Sequence, residues 1–245
     1  MKHATAAAAF ISVVALEDAT RPAHAEGGRL TASTTLTSDY VYYGQSQSAR
    51  HGAVQGDIVY TFPSGLFLSV WASTIDFNDA QETPVETDWM VGYSFALSER
   101  TSVVLTGIYY WYPASAPANY DGYALMTDVW RDCGGFSLGG SLAIFKDVAN
   151  RIESGVAVSG AFSVPVAGDW LTASGRFGRQ WMGNNDNWGT PDWLFFDIGM
   201  TAKWRRFALD VRYGGTDTRR SECFGGADVC KPGVFVSLKT QLPLP

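Results

Sequence analysis

The sequence predicts an all-β fold, a single antiparallel transmembrane β-barrel of about 12 strands of the outer-membrane type. Three observations lead to this prediction. Apolar and polar side chains alternate with a period of two in segments of about 10 residues, which is the length that a tilted membrane-spanning strand needs. The connections between these segments are alternately short and long. Aromatic residues collect near both ends of the segments, where the two lipid interfaces would lie.

Residues 1–25 are typical of a signal peptide. Lys2 and His3 give a short positive start, residues 4–16 form an apolar run, and residues 23–25 are a small-x-small cleavage site. Residues 26–245 are then the barrel, because no later apolar run reaches the roughly 18 residues that a spanning helix requires. We therefore expect export to the outer membrane of a Gram-negative bacterium, with the lipid bilayer as the main partner.

The first mature strand is predicted over residues 29–43. Leu30, Leu36, Tyr40 and Tyr42 belong to its apolar set and alternate with threonines, serines and one carboxylate, Asp39. This alternation places one face of the strand against lipid and the other against the lumen. Tyr40 and Tyr42 are accordingly expected in the aromatic belt at the outer interface.

The remaining strands are predicted from the same alternation and from the turn residues between them. Turns after the even strands are mostly short, and loops after the odd strands are mostly longer, which is the asymmetry between the two sides of an outer-membrane barrel. The alternative is a soluble β-sandwich with core aromatics, but a sandwich gives no reason for this regular alternation. The predicted strands cover residues 53–62, 66–75, 85–95, 102–112, 120–130, 136–145, 154–164, 171–180, 192–203, 206–213 and 233–242.

Charged side chains of the polar parity are predicted to line the pore, and acids outnumber bases among them. A lumen of this kind predicts a narrow passive channel for small hydrophilic solutes with a weak preference for cations. Two alternatives stay open: the charges pair as struts across the lumen, or the barrel does not conduct and has a structural or loop-mediated binding role. The predicted pore-lining residues are Asp39, Asp57, Glu86, Asp88, Asp128, Arg176, Asp197, Lys203, Asp210 and Arg212, with Lys239 as a further base.

Other functions have little support in the sequence. The net charge of -6 argues against nucleic acid as a partner. His51 is the only histidine after the signal, and no serine can be paired with it, so the nearest enzymatic alternative, an outer-membrane phospholipase, is not favoured and no enzyme activity is expected. Residues 76–79 begin like a calcium loop, but Ala80 occupies the next ligand position, so no metal site and no cofactor are expected. Neither the solute nor the oligomeric state is encoded in these patterns.

Cysteine spacing predicts one disulfide. Cys223 and Cys230 lie in the same long loop, and an exported chain folds in an oxidising compartment where such pairs form. Two free thiols are the alternative. Cys133 lies in a turn predicted on the opposite side of the membrane, so it is expected to remain unpaired.

Several short motifs resemble the TorF family of outer-membrane porins, most closely over residues 30–130. The resemblance implies a barrel and a channel. In this family arginines are common where Val41 and Tyr43 stand, and an acidic residue is common where Ala124 stands. The motifs are Ser38-Asp39-Tyr40, Gly44 with Ser46-Gln47, Ala53-Val54-Gln55-Gly56, Ser64-Gly65-Leu66, Trp71-Ala72-Ser73 with Asp76-Phe77, Glu86 with Asp88 and Gly92-Tyr93, and Tyr112-Pro113.

Overall fold

The structure is a computed structural model that describes residues 28–78, 83–116, 119–146 and 154–244. Twelve of its strands form one closed antiparallel barrel, so the predicted fold is confirmed. The predicted signal peptide, residues 1–25, lies outside the described residues. The barrel strands are β1 (Arg29–Thr37), β4 (Ala53–Thr61), β5 (Leu66–Thr74), β6 (Val85–Ser98), β7 (Thr101–Trp111), β8 (Gly122–Asp132), β9 (Ser137–Lys146), β10 (Ser154–Ala167), β11 (Leu171–Met182), β12 (Trp193–Trp204), β13 (Phe207–Thr216) and β14 (Gly233–Leu244).

The barrel closes where the first strand meets the last. Strand β1 pairs with β14 on one side, with Leu36 opposite Leu238, and with β4 on the other side, with Leu36 opposite Val54. Every barrel strand therefore has two hydrogen-bonded neighbours, and the barrel sheet has no open edge. This closure excludes the two-sheet sandwich.

The outside of the barrel is apolar. Large hydrophobic side chains such as Leu36 and Ile58 are exposed at alternate positions of the strands. Ile198 is a further example, and its exposed fraction is 56%. The intervening side chains point inward and are mostly polar, small or aromatic. An apolar exterior around a polar interior is the reverse of a soluble barrel and fits a lipid environment.

Connections at the two ends of the barrel differ in length, as predicted. At one end, which we call the turn end, residues 62–65, 99–100, 133–136, 168–170 and 205–206 make short links. The connections at the other end, the loop end, include residues 38–52, 75–84, 183–192 and 217–232. These loops carry a four-residue helix, α1 (Asn185–Trp188), and a 3-10 helix (Arg220–Glu222), both in segments expected to be irregular. Over the described ranges, no helix has the length and apolar character needed to cross a membrane.

The predicted bounds of the first strand are wrong beyond Thr37. The chain turns there, because the Thr37 hydroxyl donates to the carbonyl of Asp39 and Ser38 exchanges hydrogen bonds with Val236 of β14. Residues 38–52 then fold into the mouth of the barrel instead of continuing along the wall. We call this segment, which contains the short strands β2 (Val41–Tyr42) and β3 (Gln45–Ser46), the inner hairpin.

Candidate functional site

The inner hairpin packs its tip against the inward side of the barrel wall. The ring of Tyr43 lies 5.7 Å from that of Phe145 and 4.9 Å from that of Phe195, measured between ring centroids. The indole nitrogen of Trp193 donates a hydrogen bond of 2.9 Å to the carbonyl oxygen of Tyr43. Phe195 and Trp193 are wall residues of β12, so these contacts place the tip inside the lumen.

Neighbouring loops hold the inner hairpin in this position. The backbone N–H of Ser46 donates to the carbonyl of Val229 at 2.8 Å. The guanidinium of Arg50 donates to the carbonyls of Lys231 at 2.8 Å and Asp228 at 3.2 Å. All three acceptors belong to the loop of residues 217–232, which therefore acts as the main support of the hairpin on its loop-end side.

Gly44 is required at the tip for two reasons. Its backbone φ is +80°, a conformation that disfavours any residue with a Cβ atom. A Cβ at this position would also lie 2.4 Å from the carbonyl oxygen of Gly215 at the end of β13. Because the nearest atoms are backbone, a larger residue at position 44 has to push the hairpin away from the wall.

The prediction that Tyr40 and Tyr42 belong to the outer aromatic belt is wrong. Both side chains are buried inside the barrel, and the ring of Tyr40 packs edge-on against Trp71 at a centroid distance of 5.4 Å. A period of two separates the two faces of a strand but does not show where the strand ends. Because the chain leaves the wall after Thr37, the tyrosines that continue the alternation cover the lumen instead of meeting lipid.

Asp39 stabilises the fold of the inner hairpin. Its Oδ1 atom accepts a hydrogen bond of 2.5 Å from the hydroxyl of Ser46, and it lies 3.2 Å from the hydroxyl of Ser48, which shares its proton between this carboxylate and the carbonyl of His51. Burial raises the pKa of Asp39, while these hydrogen bonds and the charges of Arg50 and His51 act in the opposite direction. Asp39 was predicted to line the pore from a wall strand; the structure places it in the hairpin, where its carboxylate caps hydroxyl groups of the same segment.

Glu86 and Asp88 lie on the wall beneath the inner hairpin, and both are fully buried. They are adjacent inward residues of β6, and Asp88 stands opposite Trp71 of β5 and Tyr110 of β7. The hydroxyl of Tyr112 donates a 2.9 Å hydrogen bond to Oε1 of Glu86. The two predicted pore-lining acids are therefore together, but they are surrounded by aromatic side chains.

A second charged cluster lies on the opposite part of the wall, on strands β11, β12 and β13. Asp197 accepts from Arg176 at 3.0 Å and from Arg212 at 2.6 Å, and Arg212 also contacts Asp210 at 3.1 Å. The guanidinium of Arg176 lies 5.5 Å from the centre of the Tyr43 ring, so this cluster touches the tip of the inner hairpin. Four predicted pore-lining residues thus form one network of alternating charge. In the sequence-based prediction, such pairing was the alternative to ion selection.

The remaining predicted pore-lining residues lie apart from both groups. Asp57 of β4 accepts a hydrogen bond from Ser33 of the neighbouring β1. Asp128 is an inward residue of β8 opposite Ser141 of β9, and Lys203 is an inward residue near the turn end of β12. The side chains of Asp57, Asp128 and Lys203 are on the lumen face, and each is only partly buried.

The predicted disulfide between Cys223 and Cys230 is confirmed, with Cα atoms 6.0 Å apart. It closes part of the loop of residues 217–232, next to the carbonyls that receive hydrogen bonds from the inner hairpin. Cys133 is a free cysteine in the short turn between β8 and β9, at the opposite end of the barrel.

His51 is exposed at the loop end. Its Nδ1 atom lies 3.5 Å from Oδ2 of Asp76, and the hydroxyl of the nearby Ser48 donates to the backbone carbonyl of His51 instead of its imidazole. Within the described ranges, no group of three or more histidine, cysteine, aspartate or glutamate side chains is arranged to hold a metal ion.

Together, the closed twelve-strand barrel, its apolar exterior and its inward-folded loop define an antiparallel β-barrel of the outer-membrane type. Residues 22–241 match the model of a family described as "Bacterial protein of unknown function (Gcw_chp)", and the chain belongs to this family. The resemblance to the TorF family correctly implied a barrel, whereas the TorF name itself is not confirmed.

Solved structures with the same fold include two porins. A KdgM porin structure superposes with a TM-score of 0.56 at 9% sequence identity, covering 89% of this chain and 99% of that chain. A NanC porin structure gives a TM-score of 0.55 at 10% identity, covering 88% of this chain and 99% of that one. LpxR from Salmonella typhimurium gives 0.50 at 9% identity, with coverages of 86% and 99%. At these identities the likeness shows the fold alone. No curated protein matches the chain.

Proposed function

We propose that this protein is an outer-membrane β-barrel acting as a narrow passive channel for small hydrophilic solutes, with no catalytic turnover and no cofactor. One observation carries the proposal: the inward wall is polar and partly exposed on the turn-end side of the inner hairpin. Asp57, Asp197, Lys203 and Arg212 are among the partly exposed side chains there. A polar lumen enclosed by an apolar exterior is the arrangement that aqueous channels use. The two porins of similar fold support the same proposal.

The inner hairpin determines how narrow the channel is. Eight-stranded barrels are filled by their own side chains, whereas barrels with about 16 to 18 strands leave an open channel. A twelve-strand barrel lies between these sizes, and here residues 38–52 occupy part of the lumen near the loop end. Only small solutes are therefore expected to pass. Their path is either the part of the lumen that the hairpin does not fill or the space that becomes free when the hairpin moves.

A weak cation preference follows from the charge of the wall. Arg176 and Arg212 are neutralised by Asp197 and Asp210 in the network described above. Among the other predicted pore-lining side chains, carboxylates outnumber bases. Fixed negative charge in a confined pore favours the entry of cations. The carboxylates are the partly exposed Asp57 and Asp128 together with the fully buried Glu86 and Asp88, and the bases are Lys203 and Lys239.

Ion selectivity in planar bilayers tests this part of the proposal. The reversal potential under a salt gradient is expected to show a modest preference for cations. Replacing Asp57, Glu86 and Asp88 by their amides should lower the cation-to-anion permeability ratio, whereas Asp186→Asn, which removes one charge from the exposed side of helix α1, should leave it unchanged. A ratio that does not respond to the triple replacement would mean that these carboxylates do not select ions.

Location is tested separately by cell fractionation. The protein should be recovered with outer membranes and should migrate faster on gels when unheated, as closed barrels do. Recovery as a soluble periplasmic protein would contradict the membrane assignment, whatever the conductance measurements show.

A non-conducting barrel with a structural or loop-mediated binding role is the second candidate. It is favoured by the complete burial of Tyr110 and Phe195 at the level of the inner hairpin, where each is 0% exposed. Conductance separates the two candidates, because a permanently filled lumen passes no current.

A further inference from the structure

Three charged side chains lie on the lipid face of the barrel strands within the described ranges, and all three are basic. They are Arg131 of β8, Lys146 of β9 and Arg179 of β11, each at an outward position of its strand. A charge on this face is costly near the midplane of the bilayer and far less so near its interfaces. The depth and the partners of each group therefore decide what it does.

Arg131 lies at the turn end and has a partner, because its guanidinium donates to the hydroxyl of Thr101 on β7 at 3.2 Å. Lys146 and Arg179 lie at the loop end, where Lys146 is the last residue of β9 and Met182 ends β11. Both side chains are exposed. In the ranges that the structure describes, neither forms an ion pair with a carboxylate. Two cations are thus presented to the lipid at this end.

Aromatic rings place both cations at the depth of the lipid headgroups. The guanidinium of Arg179 lies 5.4 Å from the centre of the Trp181 ring. Trp181 is the next outward residue toward the loop end, so the Arg179 side chain is directed toward the interface. Lys146 stands opposite Tyr123 of β8, whose exposed ring stacks on Tyr109 at 5.0 Å. Exposed tryptophan and tyrosine rings collect at the level of the headgroups.

Strand β10 lies between the two cations and adds a hydroxyl group. Its outward residue Ser154 stands directly opposite Lys146 and is exposed. Neighbouring strands are about 4.8 Å apart, so β9 and β11 are separated by about 10 Å, which the two long basic side chains can span together. We call Lys146, Ser154 and Arg179 the basic rim.

Asp121, which precedes β8 at the same end of the barrel, is already engaged by other groups. One of its carboxylate oxygens accepts from the hydroxyl of Tyr109 at 2.8 Å, and the other accepts from the backbone N–H of Tyr112 at 2.9 Å. The negative charge that complements the basic rim is therefore expected from outside the protein.

The lipid face has a depression on the midplane side of the basic rim. Gly140 of β9 and Gly160 of β10 stand opposite each other at outward positions. A Cβ at either position would meet no atom closer than 3.9 Å, so the space outside the two glycines is open. Phe177 of β11 stands opposite Gly160, and its exposed ring forms one border of this space. An acyl chain can lie in the depression while the headgroup of the same lipid reaches the basic rim.

We propose that the basic rim binds the phosphate-bearing headgroup of a lipid in the outer leaflet of the outer membrane. Arginine and lysine bind phosphate oxygens, and each basic side chain near an anionic headgroup adds to the affinity for lipid. The loop end faces the outer leaflet because the longer loops of such barrels are extracellular. A second copy of this chain is a poorer occupant, since a symmetric contact through this face would bring the cations of both copies together.

Native mass spectrometry of the purified protein in non-ionic detergent tests this proposal. The protein is titrated with diphosphoryl lipid A, with the same lipid after both phosphates have been removed, and with inorganic phosphate. The phosphorylated lipid should bind about 25-fold more tightly than its dephosphorylated form, because each of the two cations contributes about fivefold. Inorganic phosphate should not displace the lipid, because it lacks the acyl chains.

Equal affinity for the two lipids would overturn the proposal, since the acyl chains alone would then explain binding. Displacement of the lipid by inorganic phosphate would indicate a site for free anions and would also overturn it. A protein dimer that excludes the lipid would assign this face to a second copy of the chain instead, with the same consequence.

Charge variants locate the site. Arg179→Gln and Lys146→Gln should each weaken binding of the phosphorylated lipid by about fivefold and leave binding of the dephosphorylated lipid unchanged. Arg179→Lys keeps the charge and should retain most of the affinity. Arg131→Gln is the matched control, because it removes a lipid-face charge at the opposite end of the barrel, and it should bind the lipid as the wild type does.

Unchanged affinity in the variant that combines Arg179→Gln with Lys146→Gln would place the phosphate elsewhere and overturn the assignment. The faster migration of unheated protein on gels shows whether each variant folds, and the wild-type titrations decide the ligand class even if a variant does not. The proposal rests on the outer-membrane location proposed above but not on conduction. Because lipid binding is measured in detergent and without current, its failure is distinct from a failure of the channel or of the location.

Discussion

Replacing Gly44 by alanine should displace the inner hairpin from the barrel wall. The added Cβ would lie 2.4 Å from the carbonyl oxygen and 2.7 Å from the carbonyl carbon of Gly215. Both atoms are backbone within β13, so no change of side-chain rotamer relieves the contact. Gly134 is a matched control, because its φ of +75° is close to the +80° of Gly44 and a Cβ there meets nothing within 4 Å.

The size of the effect follows from the difference between these two positions. Alanine at a positive φ costs about 1–2 kcal/mol at either position. The overlap with Gly215 adds about 1–3 kcal/mol at position 44 alone, as is typical when extra atoms are forced into a packed site. The overlap is absent in molecules whose inner hairpin has moved away from the wall. In Gly44→Ala the fraction of such molecules should therefore rise by about 5- to 150-fold.

Trypsin cleavage after Arg50 measures that population. In the native arrangement the Arg50 guanidinium is held by the carbonyls of Asp228 and Lys231, and cleavage requires the segment to move out. When opening is fast relative to cleavage, the cleavage rate follows the fraction of open molecules. Gly44→Ala should be cut faster by the factor given above, and Gly134→Ala should be cut at the wild-type rate. Equal rates in all three proteins would refute the packing of the hairpin tip against β13.

Two further predictions concern the lipid face and the disulfide. Ile198→Arg should reduce the free energy of unfolding in bilayers by about 2–4 kcal/mol if the site is near the midplane. Ser141→Arg, at an inward position, should not carry this penalty. Equal losses of the two variants in denaturant titrations would contradict the assignment of the lipid and lumen faces. Mass spectrometry of unreduced peptides should show Cys223 linked to Cys230 and Cys133 free, and a link from Cys133 to either would contradict the strand topology. Reduction of the disulfide should destabilise the loop of residues 217–232 by about 2 kcal/mol and raise trypsin cleavage in the inner hairpin.

The sequence predicted the barrel well because its signal is repeated in every strand. Alternation with a period of two depends on each side chain facing either lipid or lumen, so segments such as 171–180 and 192–203 agree closely with β11 and β12. The lipid-facing position of Ile198 and the inward position of Asp197 follow from the same parity. The disulfide was predictable because Cys223 and Cys230 are close in sequence.

The interior of the barrel was less predictable, because it depends on contacts between distant residues. Nothing in the alternation of residues 29–43 shows that the wall ends at Thr37, since Tyr40 and Tyr42 keep the period after the chain has turned inward. The hydrogen bond from Trp193 to Tyr43 joins residues 150 positions apart. One local signal was available: Gly44 and the polar residues that follow it, up to Gln47, are turn-forming and polar, which is unusual for the end of a spanning strand.

The pairing of charges shows the same limit. Parity assigned Arg176, Asp197, Asp210 and Arg212 to one face but gave no distances between strands. Their network requires the register of β11, β12 and β13, in which Arg176 stands opposite Asp197. Charge counting alone therefore overstated the number of carboxylates available to attract ions.

Single-channel recording in planar bilayers tests the proposed channel most directly. The wild-type protein should produce discrete, small conductance steps, because the inner hairpin occupies part of a twelve-strand lumen. Gly44→Ala should produce larger or more frequent steps, while Gly134→Ala should match the wild type. If neither the wild type nor Gly44→Ala passes current, although both are folded and inserted, the protein is a non-conducting barrel and the proposed channel function is wrong.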